Sequence, residues 1–309
     1  MSRPILTLEN VSKSFGGLRV IEDLSFSVRR GSRTALIGPN GAGKTTVFNL
    51  ITGVHSIDAG RMLLDGADIA AMPSRQRIHH GIARNFQNIR LMPHLSALEN
   101  VLIGQHCRNG GLRGALQPVN LVPRNRWREE ARAALAEAGL ARHERAAVAS
   151  LPYGLQKRVE LVRALVARPR LLLLDEPAAG LNPAETELLR ERLAAVSGER
   201  GITMLVVEHD MHFVGALCEQ VIVLNFGRRI AEGTPGEVRD HPMVREAYLG
   251  LAGRSRASAC RPRALISTTC MCATDACTPC AACRLRSRPA RSSPSLARTA
   301  PASRPCSRR

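Results

Sequence analysis

Along the first 250 residues, short apolar runs alternate with stretches in which apolar side chains recur every three to four positions, the periods of strand and helix. Strand-like runs fall at residues 5–9, 24–28, 34–38, 61–64, 171–174, 203–207 and 221–224. The runs 171–174 and 204–207 have no polar face, the pattern of parallel strands covered by helices on both sides. Between residues 87 and 150 the strand signal vanishes. There, residues 93–103 and 127–141 read as helices, separated by a loop over 104–126 that contains Gly and Arg. No internal repeat is present. The pattern predicts an α/β core with a helical insertion over about residues 88–165, preceded by a small antiparallel β-rich segment. From Arg254 onward the pattern stops: the last 56 positions hold four Leu or Ile, no Val and no aromatic residue. Too little apolar surface remains there to offset chain ordering, so the division expected is a domain over 1–253 and a disordered tail over 254–309.

Composition sharpens this division. The chain has 309 residues, 44% apolar, enough for a sizeable core and unlike a collagen, a coiled coil or a wholly disordered polymer. Uncharged runs fall short of the ~18–20 apolar residues that span a bilayer. The start, MSRPILTLEN, leads straight into a strand without an apolar signal core, so a cytoplasmic chain is expected. The net charge is +18, but residues 254–309 carry 12 Arg against the single acid Asp275. Lysine occurs only at positions 13, 44 and 157. A bias to Arg, Ala, Gly and Pro is what a GC-rich gene gives, so the positive charge is weak evidence for nucleic acid, and no nucleic-acid partner is expected.

The sharpest chemical signal is Gly38-Pro39-Asn40-Gly41-Ala42-Gly43-Lys44-Thr45, which fits G-x-x-x-x-G-K-[ST] between an apolar strand and a helix over 45–52. A Gly-rich strand-to-helix turn can exist without a ligand. Here the glycines let backbone N–H groups face phosphate oxygens at the positive end of a helix. Lys44 would neutralise the β- and γ-phosphates, and the Thr45 hydroxyl would ligate magnesium. The second signal is Leu171-Leu172-Leu173-Leu174-Asp175-Glu176-Pro177, an apolar strand that delivers two carboxylates to the carboxyl edge of the sheet. Asp175 suits the magnesium shell and Glu176 a general base acting on water. On its own such a run would often be a strand meeting a solvated turn; together with the phosphate loop it points to hydrolysis of a nucleoside triphosphate.

Three further elements follow in order: Gln87 in Ala83-Arg84-Asn85-Phe86-Gln87, Leu151-Pro152-Tyr153-Gly154-Leu155-Gln156 opening a helix, and His209 in Val207-Glu208-His209-Asp210. Singly each is unremarkable. The ordered set resembles the ATP-binding subunit of ABC transporters over about residues 3–252. The resemblance implies a P-loop NTPase core that binds ATP and Mg2+. Residues 38–45 with Thr46 would contact ATP, and Asp175 and Glu176 would form the Walker B pair. Gln87 would join the magnesium shell and couple the site to the membrane subunits, His209 would be the switch histidine, and Phe15 would stack on adenine. It also implies a head-to-tail dimer, in which residues 151–156 of one subunit cap the γ-phosphate bound by the other.

The signature segment departs from the usual Leu-Ser-Gly-Gly-Gln, with Pro152, Tyr153 and Leu155 at the second, third and fifth places. Pro152 offers neither a hydroxyl nor an N–H, so a phosphate contact must rest on Gly154 and the helix behind it. Asn182, in Ala178-Ala179-Gly180-Leu181-Asn182-Pro183, stands where the family usually has Asp. These departures, with Asn85-Phe86-Gln87-Asn88-Ile89-Arg90-Leu91, Val207-Glu208-His209-Asp210-Met211 and Ala247-Tyr248-Leu249-Gly250, are similar to one subgroup, the larger ATPase subunit of branched-chain amino acid importers. The partners so implied are two transmembrane permeases, a second ABC ATPase and, indirectly, a periplasmic or extracellular substrate-binding protein. The place so implied is the cytoplasmic face of a bacterial inner membrane. Importers of urea and short amides carry nearly the same ATPase, and an exporter of the lipopolysaccharide type is the rival within the class. A soluble ATPase for DNA repair would need a long coiled coil between Lys44 and Asp175, which no heptad run supplies.

Seven of the nine cysteines lie in the tail, where Cys270-x-Cys272 and Cys277-x-x-Cys280-x-x-Cys283 superficially match metal-ligand spacing. The run has Ser287 where an iron–sulfur motif needs its fourth cysteine, and the polybasic tail could instead touch anionic lipid. The simplest account of the abrupt change to Arg, Pro, Cys, Ser and Ala is a shifted reading frame in a GC-rich gene.

Overall fold

Two long antiparallel strands open the chain, β1 (Pro4–Phe15) and β2 (Leu18–Arg29). Gly16 and Gly17, with φ of 54° and 86°, make the two-residue turn between them. The computed structural model describes residues 3–85, 89–108 and 126–254. After β2 come β3 (Arg33–Ile37), α1 (Lys44–Ile51), β4 (Ala59–Leu64), β5 (Ala67–Asp68), α2 (Ser74–His79) and β6 (Ile82–Asn85). Then follow α3 (Ala97–Gln105), α4 (Arg126–Glu137), α5 (Tyr153–Val166), β7 (Leu171–Asp175), α6 (Pro183–Arg200) and β8 (Thr203–Val207). The last elements are α7 (Met211–Leu217), β9 (Gln220–Asn225), β10 (Arg228–Gly233), α8 (Pro235–Asp240) and α9 (Pro242–Arg254).

The strands form two sheets. One is antiparallel, in the order β2-β1-β4-β5; the other has the order β10-β9-β3-β8-β7-β6, parallel except for the β10 edge. Alternation along the parallel strands divides the apolar residues between two cores. Leu171, Leu173, Leu205 and Ile222 face α1 and the antiparallel sheet, where Phe48 and Ile51 are fully buried. Leu172, Leu174, Val206 and Val223 face α5, α6 and α7 on the other side. A third core joins α3, α4 and α5 through Leu98, Val101, Leu135, Val159 and Val162. The α/β class, the antiparallel sheet and the helical insertion expected from the pattern are all present.

Several boundaries differ from the expectation for identifiable reasons. The strand expected over 34–38 stops at Ile37, because Gly38 turns to a φ of 152° against β9. The helix expected over 93–103 starts at Ala97, where Ser96 and Glu99 form a capping box. The one expected over 127–141 ends at Glu137, ahead of Gly139 with φ of 71°. The short strands β5, β6 and β10 carry too few apolar residues to have been anticipated. The β-rich part does not simply precede the core, since β4 and β5 return after α1 to complete the antiparallel sheet. The expectations for Gln87, most of the 104–126 loop and the tail from 255 on fall outside the described residues. Among the described residues, no helix is long and apolar enough to cross a membrane.

Candidate active site

The phosphate loop connects the buried strand β3 to α1. An added Cβ at Gly38 would lie 2.2 Å from the Leu224 carbonyl oxygen, so only glycine lets the loop pack on β9. Gly43 caps α1 in the left-handed region (φ 99°), and a Cβ there would meet Ile21 Cδ1 at 2.6 Å. No described side chain caps α1, which leaves its first-turn N–H groups available to an anion. Lys44 is buried, and its Nζ donates to the carbonyls of Gly38 at 2.7 Å and Pro39 at 2.9 Å. Burial pulls the Lys44 pKa down, while the Glu176 and Asp175 carboxylates oppose that shift. Pro39 and Ala42 are buried, Asn40, Gly41 and Thr45 are exposed, and Thr46 is half-buried. The loop thus turns its tip and the Thr45 end toward solvent.

Asp175 ends β7, paired in register with Val207 of β8, and is buried. Its Oδ2 accepts from Arg84 Nη2 at 2.6 Å. Glu176 follows in the left-handed region (φ 47°), rare for a non-glycine residue, with its N–H donating to the Val207 carbonyl at 2.9 Å. Its Oε1 lies 2.7 Å from His209 Nε2, so the two residues that the sequence leaves 33 positions apart are in direct contact. Lys157 Nζ approaches the Glu176 carbonyl at 3.4 Å, and burial lowers its pKa against the pull of Glu160, Glu208, Glu176 and Asp175. Glu208 is buried and accepts from the N–H groups of Ala178 (2.8 Å) and His209 (3.1 Å). Burial raises its pKa, and those two N–H groups act in the opposite sense. Glu208 therefore ties the segment after Glu176 to the backbone of the histidine that touches it.

A hydroxyl and a carboxylate, Thr45 and Asp175, form the hard-oxygen donor set expected of Mg2+, which takes one or two protein ligands together with waters and phosphates. Among the described residues no group of three or more His, Cys, Asp or Glu could cage a metal alone. The residues present fit a nucleotide-bound magnesium and not an all-protein site.

The signature segment sits at the start of α5. Leu151 is buried and Pro152 is the N-cap, while the Tyr153 ring lies so close to Gly180 that a Cβ there would come within 2.9 Å of it. Gly154 is backed by Glu185, whose Oε1 would lie 2.3 Å from an added Cβ. Leu155 is half-buried, and Gln156 Nε2 donates to the Leu151 carbonyl at 2.7 Å. Further along α5, Glu160 Oε1 accepts from the Arg90 N–H at 3.0 Å and Arg163 Nη1 donates to the Arg90 carbonyl at 2.6 Å. The chain just after Gln87 is thereby gripped at both backbone groups by the signature helix. Phe15, 39% exposed, stands edge-on to His55 at 5.0 Å, with Lys13 Nζ 5.4 Å from its ring centre.

Arg84, Lys157, Glu160, Arg163 and Glu208 were not singled out by sequence reasoning. Lys157 carried a signal, as one of three lysines in the chain, another being Lys44 of the phosphate loop.

The sequence matches the family described as "ABC transporter" over residues 21–179 and that described as "Branched-chain amino acid ATP-binding cassette transporter" over 228–252. It is 40% identical over 255 residues to the high-affinity branched-chain amino acid transport ATP-binding protein BraF of Pseudomonas aeruginosa, covering 82% of this chain and 100% of that one. It is 39% identical over 258 residues to the corresponding protein LivG of Escherichia coli K12, again covering 82% and 100%. Among solved structures, the ADP conformation of MJ1267, an ATP-binding cassette of an ABC transporter, superimposes with a TM-score of 0.72 at 32% identity, covering 81% of this chain and 100% of that one.

Proposed function

The chain belongs to the ABC transporter ATP-binding family, and from that premise we propose that it powers an importer of branched-chain or related amino acids. What supports the solute class is likeness over the full length of two branched-chain amino acid transport ATPases, with the matching family segment spanning β10, α8 and α9. Residues 38–46 hold the triphosphate, with Lys44 released from its loop carbonyls to the phosphates. Phe15 stacks on the base. Thr45 and Asp175, with Gln87, hold the magnesium, which neutralises phosphate charge when bound. Glu176 takes the proton of the attacking water, and His209, 2.7 Å from it, fixes the carboxylate.

In this reading residues 151–156 complete the ATP site of a partner ATPase, so two nucleotides hold the dimer closed and hydrolysis reopens it. Cytoplasmic helices of two permease subunits dock near Gln87 and the helical insertion, and a periplasmic or extracellular binding protein delivers the solute. The protein sits peripherally on the cytoplasmic face of the bacterial inner membrane. Residues 1–253 suffice for this role, and resequencing the 3′ end of the gene tests whether 254–309 are out of frame. The reading itself is tested by deleting the gene in its host and measuring uptake of labelled leucine, isoleucine and valine. Loss of that uptake, restored by the wild-type gene but not by Lys44→Ala, is expected. Intact amino acid uptake with lost urea or amide uptake, or with a lipopolysaccharide defect, would replace the solute assignment.

A further inference from the structure

We propose that Arg84 is a positioning residue of the magnesium corner, a fixed cation that holds Asp175 and makes metal binding depend on nucleotide. The inference rests on the ATPase reading above. Arg84 lies on β6, in register with Leu173 of β7, and its guanidinium reaches two other elements. Nη2 donates to Asp175 Oδ2 and Nη1 to Asn49 Oδ1, each at 2.6 Å, and the group lies 5.5 Å from the Phe48 ring centre. The Arg84 and Asp175 side chains are only 6% and 5% exposed, so water screens the pair little.

Asn49 follows Thr45 by four residues on α1, which puts both on one face of that helix. One arginine therefore fixes the helix that carries Thr45 against the strand that carries Asp175, and so sets the spacing of the two oxygen ligands. It also opposes the metal. A divalent ion held by Asp175 would share that carboxylate with the guanidinium, like charge against like. At an effective dielectric of about 20, repulsion between charges on the same buried carboxylate outweighs the roughly 10–100-fold that outer-shell hydrogen bonding contributes. Phosphate oxygens reverse the balance. A site holding no nucleotide therefore keeps its buried carboxylate neutralised by Arg84, and would admit a divalent ion only where phosphate oxygens are present.

The test is an electron paramagnetic resonance titration of free Mn2+ with the full chain, with and without ADP, each read against a protein-free titration because ADP itself binds Mn2+. Wild type should bind Mn2+ with ADP and not without it. Arg84→Gln, which keeps a donor but not the charge, should tighten Mn2+ in the ADP complex by at least about tenfold and make nucleotide-free binding measurable. Arg84→Lys, which keeps the charge but not the fork that reaches both Asn49 and Asp175, should still show no Mn2+ binding without nucleotide. In thermal melts, the deficit of Arg84→Gln in EDTA should shrink at saturating Mn2+ and ADP, which a purely structural role would not produce. Unchanged or weaker Mn2+ binding in Arg84→Gln overturns the inference. So does tight Mn2+ binding by nucleotide-free wild type, a measurement that needs no variant to fold. Absence of any ADP-dependent Mn2+ binding in wild type would instead sink the nucleotide-site reading.

Discussion

Replacing Glu176 with glutamine exchanges one carboxylate oxygen for an amide at nearly constant volume. The side chain is 19% exposed, and the amide oxygen can still meet His209 Nε2 where Oε1 does now, at 2.7 Å. The left-handed backbone at this position is held by the Val207 carbonyl and is untouched by the change. Folding stability should therefore move by no more than about 0.5 kcal/mol. What disappears is the proton acceptor. A positioned general base contributes roughly 10²–10⁴-fold, which at about 1.36 kcal/mol per decade is about 3–5 kcal/mol of barrier. Nucleotide binding should survive or improve, because Glu176 contributes one of the two negative charges facing Lys44, and a triphosphate is better received without it. Phosphate release at saturating ATP, together with the affinity for a fluorescent ATP analogue, reads both quantities. Turnover within about tenfold of wild type, at unchanged melting temperature, would refute the assignment of Glu176 as the base.

Lys44→Ala should weaken ATP binding itself by roughly 10–100-fold, the worth of a charge-assisted contact; unchanged affinity in a binding titration would count against its role. If Phe15 stacks on the base and does not reach the phosphates, Phe15→Ala should lower ATP affinity about fivefold with kcat unchanged; a lowered kcat at saturation would contradict that. Burial raises the Glu160 carboxyl above its ordinary 4.5, so the folded state holds that proton more tightly than the unfolded chain does. Its contribution to stability is full below the unfolded value and is lost as pH rises through the folded one. Glu160→Gln should accordingly flatten the fall in Tm as pH rises above the ordinary carboxyl value of 4.5, and an unaltered slope would show that this group does not titrate as described.

How much was legible in the sequence follows from how local each signal is. The phosphate loop is eight consecutive residues on a strand, a turn and a helix, and its glycines report their own backbone needs, as Gly38 against Leu224 illustrates. Asp175 and Glu176 were legible because a fully apolar strand ends on them. The order of the motifs led to the family, but no spacing reveals that His209 touches Glu176. The supporting charges were invisible because their partners are remote: Arg84 meets Asp175 across 91 positions and Arg163 meets Arg90 across 73. The three-residue spacing of Lys157, Glu160 and Arg163 along α5 was the available hint. The strand β6 itself was missed because Arg84 and Asn85 interrupt its apolar pattern.

The central claim is that this ATPase works on an importer, and partner identity tests it most directly. The Glu176→Gln protein should be trapped with ATP, recovered from detergent-solubilised membranes of its own host, and its partners identified by mass spectrometry. The account predicts two polytopic permease subunits and a second, smaller ABC ATPase. Recovery of an exporter's membrane subunits, or of soluble or nucleic-acid-bound partners alone, would contradict it.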